Sequence, residues 1–555
     1  MEQVLPGVSI EVRSEGLIIP GQIQLSTVGV VGTASRGPVN DPQIIGSATE
    51  AEAVFGDPGA YDRANAGGEL TLVRALQIAF DSGARDALAV RVESGALAQR
   101  AAFDLQASGG LCCTLEASTP GEWANDLTIN VTTTSENAFI NDEALAAGDP
   151  LTFTPVVDSA RTRIFVRPTG SSDVTAFAAI FNGAPLVGQV LVDTATGALT
   201  FNAAQTPVAG DTVLADYVVA STSARQVTLK RGDEEEVYVT VNGEHFAGLL
   251  AGSALARRRT SGPNIDLLPD AFAAATEFQR FAGGTNAAVN ANYTTGLDAL
   301  STRNAFIIVA AGQDHRQIGA ALTAHVTTAS SDLNKRERIG VVGSGVGTNA
   351  TNPEDVDRVL GHSLASDRVV FVAPGIRVFD RGSGNDVTLP GSYAAAMVAG
   401  MISGFPVNRS LTNKPVAVTA LEEDYTTAEL RQLVLARVLA IEKRLGFRTV
   451  KGITTSTNSA FAQVTTRRIV DKMKYGVRSA ANPYIGLLNN TRVRAALQAT
   501  IDSFLNNMVL AEELAAYELS VTASRQDEIA GIARVAITAQ PVFSIDFIKV
   551  VITLQ

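Results

Sequence analysis

The chain has 555 residues, 46% of them hydrophobic and 18% charged, with a net charge of −12. That length calls for about three or four domains, and so mild an acidity argues against general nucleic-acid binding, which needs a basic surface. The two cysteines are the neighbours Cys112 and Cys113, which excludes a disulfide framework or a zinc spacing.

The first segment, Pro6–Arg13, alternates. Val8, Ile10 and Val12 face one way, and Ser9, Glu11 and Arg13 the other, which is the period of a half-buried strand. Gly16, Pro20 and Gly21 then break the chain, so this strand sits on an arm (residues 1–22) ahead of the first core strand, Val28–Val31. Residues 68–82 carry apolar residues at helical spacing with Gly83 as the stop, and Ala87–Val92 is the next strand. Strand, helix, strand marks residues 23–135 as a first α/β part.

Composition shifts near residue 136. From there to 222 the chain reads as short β runs between turn residues, with one helical turn near 173–181, and is expected to be an inserted β-rich module. Residues 223–285 connect it to a second α/β unit, 286–420. There Phe306–Ala310, Ile339–Val342 and Val369–Val372 read as strands, with helices over Gln317–Thr328 and from Asn352. Residues 421–540 form a helical and β domain. Thr427–Leu445, Thr465–Val477 and Thr491–Met508 have helical period, and Ile532–Ile537 is a strand. A last strand over Val542–Leu554 makes residues 541–555 a second arm. Its parity changes: Phe543, Ile545 and Phe547 alternate, then Ile548, Val550 and Ile552 take the other register. Either a bulge re-aims the strand or both faces are buried.

No site of catalysis assembles from these residues. Gly32-x-x-x-x-Gly37 has the glycine spacing of a phosphate loop, which requires Lys and then Ser or Thr next. Pro38 and Val39 stand there, and proline brings neither a cation nor an N–H. His315 and His325 are ten residues apart, not at the spacing that puts two ligands on one helical face. His245 and His362 lack partners that general acid–base work would need. Asp233–Glu236 reads as a solvated acidic turn, and Arg257–Arg259 as a solvated loop or salt-bridge site. No catalytic, cofactor-binding or metal-binding residue is assigned. Neither a secretory signal nor a membrane-length apolar run is present.

Several pieces, in order, resemble contractile tail sheath proteins: Pro6-Gly-Val-Ser-Ile-Glu11, Gly29–Pro38 closed by Phe55-Gly56, Ala89–Val92, Gly121-Glu-Trp-Ala-Asn-Asp126, Phe281-Ala-Gly-Gly284, Thr465-Thr-Arg-Arg468 and Pro541-Val-Phe543. Ala124 stands where the family usually has glycine, Gly391-Ser392 and the following Ala-rich run match only loosely, and 136–222 lies outside the common core.

The resemblance implies a mixed α+β and α/β multidomain sheath subunit, with a core built from N- and C-terminal parts, an inserted β module and extended terminal β-strand arms. It implies stacked, six-fold rings of this chain wound helically around an inner tube, with baseplate and tail terminator or cap proteins as further partners. Direct nucleic-acid contact, membrane insertion, a cofactor and enzymatic activity are not expected. Such a protein is made in the bacterial cytoplasm and works in a virion tail, or in an extracellular or cell-anchored injection particle. Each subunit's arms add strands to neighbours' sheets. Val8, Ile10 and Val12 would carry the first arm, and Phe543, Ile545, Phe547, Val550 and Ile552 the last. Gly16, Pro20, Gly21 and Pro541 are the expected hinges. Tube contact is expected on C-terminal helices, with Arg467, Arg468, Lys472, Lys474, Asp502, Glu512 and Glu513 as candidates. Two other readings of the residues are a nucleotide-dependent α/β enzyme and a non-contractile shell or surface-layer protein.

Overall fold

The computed structural model describes residues 25–65, 68–94, 98–274, 276–286, 291–349 and 352–553. Val8, Ile10, Val12, Gly16, Pro20 and Gly21 lie outside the described residues. The chain divides into two compact units, one from the described residues of Met1–Gly95 and Ala287–Gln555, the other from those of Ala96–Asn286.

The larger unit is built on an eight-stranded sheet whose strands come from both ends of the chain. They are β1 (Val28–Gly32), β2 (Gln43–Ile45), β3 (Ala87–Arg91), β4 (Ile307–Asp314), β5 (Ile339–Gly343), β6 (Val369–Ala373), β7 (Leu439–Lys443) and β8 (Phe447–Thr449). Their order is β2-β3-β1-β4-β5-β6-β7-β8. The six inner strands run parallel, and each edge strand is antiparallel to its neighbour.

Successive side chains of the inner strands enter opposite layers, which is why these strands read as unbroken apolar runs. Val28, Val30, Val309, Val341 and Val372 pack with helices α1 (Ala48–Phe55) and α2 (Leu72–Asp81). Val31, Ile308, Val342 and Phe371 pack with α3 (Tyr293–Leu300) and α4 (His315–Ala329). A further helix, α5 (Gly391–Gly404), joins the first layer with its residues through Ser403 buried. It has no polar face, so the period that reveals an amphipathic helix is missing. That is why the Ala-rich run gave no element on sequence alone.

Two other sequence expectations change. The helix over Thr427–Leu445 ends early, as α6 (Thr427–Leu435). Arg437, at φ 68°, turns the chain into β7, where Leu439, Ala440 and Ile441 are all buried. The helical turn near 173–181 is a strand, Thr175–Ile180, paired on both sides.

The loop after β1 is filled by the chain itself. The Thr33 amide donates to Thr71 Oγ1 at 3.1 Å and its hydroxyl to the Glu69 carbonyl at 2.6 Å. Arg91 Nη1 donates to the Gly37 carbonyl at 2.9 Å. Gly37 has φ 93°, and a Cβ there would lie 2.8 Å from the Phe55 ring. The glycine spacing serves a tight turn against α1.

In the smaller unit, residues 96–135 do not continue the first α/β part. The Gly110–Ala117 strand pairs with Ala256–Ser261, and Thr128–Thr133 pairs with Arg225–Arg231, so the boundary falls at 95/96 and not 135/136. Arg257 Nε lies 2.8 Å from Glu116, and Arg258 pairs with Glu244, which makes the arginine run a salt-bridge site on a strand. Asn125 and Gly284 exchange two hydrogen bonds of 2.9 Å, uniting the Trp123 and Gly283-Gly284 segments. A Cβ on Gly284 would sit 2.4 Å from the Gly121 carbonyl oxygen. A separate six-stranded sheet draws all its strands from Ala138–Val219, and its first and last residues are register partners.

Candidate assembly interface

The C-terminal lobe of the larger unit holds most of the sequence candidates. Two long helices, α7 (Val464–Ala481) and α8 (Thr491–Leu510), pack through Ile469, Leu497, Ile501, Phe504 and Leu505. Gly476 makes their close approach possible, because a Cβ there would fall 1.9 Å from the Phe504 ring. Against α8 lies a two-stranded ribbon, β9 (Leu514–Thr522) and β10 (Arg534–Pro541). Tyr517, Leu519, Val521, Ile537 and Ala539 alternate onto the helix side. Among the described residues no third strand joins this ribbon, so both outer edges keep unpaired N–H and C=O groups.

Beyond Pro541, the register partner of Leu514, the chain leaves the ribbon. The Val542 amide donates to the Glu513 carbonyl at 3.1 Å. The expected strand over Val542–Leu554 forms no ladder among the described residues. Phe543, Ile545, Phe547, Ile548, Val550, Val551 and Ile552 are 61–89% exposed. A run of apolar side chains this exposed is what a monomeric protein avoids and what an interface segment requires.

The charged candidates separate by burial. Arg467 and Arg468 are buried, which removes them as exposed grips. Arg467 pairs with Asp367 at 2.9 Å and Asp471 at 2.7 Å, and Arg368 meets Asp471 through two bonds of 2.8 and 2.9 Å. Arg468 donates to the Phe405, Pro406 and Leu25 carbonyls. Burial, partly offset by Glu513, pushes its guanidinium down to about 10. Glu513 is buried and holds Lys472. Lys474 lies 3.1 Å from Glu337. Asp502 and Glu512 are exposed, with Asp502 accepting from the Tyr517 hydroxyl at 2.7 Å. Because the first two turns of α7 are packed on every side, helical period alone could not separate its buried cations from its exposed ones.

His315 and His362 pack against the same Phe371 ring, at 4.7 and 4.9 Å between ring centroids. His315 lies 3.2 Å from Glu354, and His362 Nε2 donates to the Ala436 carbonyl at 2.6 Å. His325 accepts from Arg338 at 2.9 Å, and burial together with that cation pushes it down to about 4. Among the described residues no cluster of three or more His, Cys, Asp or Glu could hold a metal, and no helix is long and apolar enough to cross a membrane.

Comparison with known proteins agrees with this geometry. The profile of the phage tail sheath C-terminal domain matches residues 456–555, which include α7, α8, the ribbon and the exposed tail. The tail sheath protein of Bacillus phage SP01 is 26% identical over 251 residues, 43% of this chain and 42% of that relative. The chain is similar to the tail sheath proteins of contractile phages, through its C-terminal domain and through partial matches to whole sheath proteins. The family is structural and not enzymatic. The match spans less than half of the SP01 relative's length. Two solved sheath tail proteins share the fold over nearly the whole chain. That from Desulfitobacterium hafniense has a TM-score of 0.55 at 15% identity, covering 97% of this chain and 100% of its own. That from Listeria innocua has a TM-score of 0.57 at 11% identity, covering 95% and 98%.

Proposed function

We propose that the chain is the repeating subunit of a contractile sheath, winding helically around an inner tube and shortening to drive that tube through a target envelope. The observation that carries this reading is the coexistence of an exposed apolar tail with a ribbon that no third strand joins among the described residues. Strand addition to an open edge supplies main-chain hydrogen bonds, while pockets for alternate side chains fix the register. Burying an apolar side chain of this size is worth roughly 1.5–3 kcal/mol, so the exposed tail supplies a strong drive toward partner copies. A contact of this kind that does not close on itself generates a helix.

Shortening needs no fuel site if the extended sheath is metastable. About 400 Å2 of additional apolar burial per subunit would release ~10 kcal/mol before ordering costs. A releasable hold on the tube falls to exposed acids such as Asp502 and Glu512, where ion pairs are worth ~0–1 kcal/mol each. Baseplate and terminator proteins would cap the stack, and the particle would be a virion tail or an injection device. The module at 136–222 would decorate its outer surface.

Electron microscopy of the purified chain tests the reading. The full chain is expected to form tubules, and chains lacking 1–20 or 541–555 to remain folded single subunits. Normal tubules from either truncation would remove that arm from the mechanism, and calorimetric binding of a nucleotide would favour an enzyme instead.

A further inference from the structure

The parity change at Phe547–Ile548 has a structural counterpart. Val542, Ser544 and Asp546 are partly buried while Phe543, Ile545 and Phe547 are exposed, and from Ile548 to Thr553 every residue is exposed. Residues 542–547 thus lie extended along the body with their even-numbered side chains inward. Among the described residues the tail beyond does not continue this alternation.

Asp546 ends the inward-facing set, its side chain 12% exposed. Thr412 Oγ1 lies 3.3 Å from Oδ1, Gln463 Nε2 3.3 Å from Oδ2 and Lys451 Nζ 3.4 Å from Oδ2. Ser544 Oγ adds a contact at 3.2 Å, and Lys451 Nζ stands 5.5 Å from the centroid of the Phe547 ring. These donors come from three places that are themselves tied together. Thr412 Oγ1 accepts from the Gly452 amide at 3.2 Å, and the Gly452 carbonyl accepts from the Val464 amide at 3.2 Å at the start of α7. A carboxylate meeting one cation and two neutral donors from segments that are bonded to one another is a clamp, because charge-assisted bonds are the stronger ones.

We propose that Asp546 is the root of the C-terminal arm. Residues 542–547 stay with their own subunit, the pivot lies at Phe547–Ile548 and not at Pro541, and the strand given to a second copy of this chain begins at Ile548. Ile548, Val550 and Ile552 are then the side chains that the receiving copy encloses. Phe543, Ile545 and Phe547 form a separate apolar face that never leaves the donor. The transfer rests on the strand-exchange reading above; the clamp does not.

Limited proteolysis of the full chain, diluted until light scattering shows single subunits, tests the clamp. Rates are normalised to a free peptide covering 538–555. Trypsin is expected to cut after Lys549 at least tenfold faster than chymotrypsin cuts after Phe543. Asp546→Ala should raise cleavage after Phe543 about tenfold, equivalent to ~1.4 kcal/mol, without changing cleavage after Lys549. Lys451→Met should do the same to a smaller degree, and provides the test if Asp546→Ala does not fold. Equal normalised rates in the unaltered chain, or no response to either variant, would overturn the clamp. Deleting 548–555 separates the two ideas. Tubules that persist would refute strand exchange by this arm while the proteolysis stands, and lost tubules with unresponsive proteolysis would refute the clamp alone.

Discussion

Replacing Asp471 with Asn removes a charge and almost no volume. In the native chain its carboxylate takes three bonds of 2.7–2.9 Å from Arg368 and Arg467, all three side chains under 10% exposed. An amide offers one acceptor oxygen and presents its own N–H groups to a guanidinium. Breaking a buried pair in this way costs about 3–5 kcal/mol. Arg467 keeps Asp367, a third exposed, so the lower end of that range applies. For a unit as large as this one ~3 kcal/mol corresponds to a fall of roughly 4 °C in Tm, read by differential scanning calorimetry of the full chain. Combining Asp471→Asn with Arg368→Met should recover part of the loss, since one orphaned cation is then replaced by apolar volume. A fall of less than 1 °C would mean that the cluster is open to water and that Arg467 could still serve as a surface grip.

Gly476→Ala should lower Tm by a few degrees, because overpacking costs of ~1–3 kcal/mol against Phe504 exceed the ~1 kcal/mol gain in helix propensity; adding Phe504→Leu should restore it. Glu69 bonds Arg74 and accepts from the Tyr393 hydroxyl at 2.7 Å, with Asp380 and Tyr61 close by, and burial lifts it from 4.5 to about 7. Its folded form therefore holds a proton that the unfolded chain has lost, so this contribution is complete below pH 4.5 and declines as pH rises to about 7. Glu69→Gln should flatten that part of the stability profile measured by urea unfolding at stepped pH. Asp502→Asn with Glu512→Gln should leave Tm within 1 °C while loosening the hold on the tube, seen as easier tube release in salt. Excising 138–219 and joining its adjacent ends with a short glycine linker should spare tubule formation in micrographs; loss of tubules would count against a decorative role.

The inner strands of the large sheet were legible because apolar runs bounded by Gly and turn residues have few other homes, and Val28–Gly32 and Ile339–Gly343 agree closely with expectation. The α5 helix was not, because burial on all sides erases periodicity. Nor was β7, since Leu439–Ile441 fits helix or strand equally until the turn at Arg437 is seen. Exposure of the tail was foreseeable from its lack of local partners. The role of Asp546 was not, because its partners Thr412, Lys451 and Gln463 are remote in sequence and none carries a recognisable motif.

Helical reconstruction of the native assembly by electron cryomicroscopy bears most directly on the account. Density is predicted in which residues from Ile548 onward of one subunit form a β-ladder with a neighbour, on an edge of its Leu514–Thr522 and Arg534–Pro541 ribbon. Density with both termini folded into their own subunit, and no strand shared between copies, would contradict it.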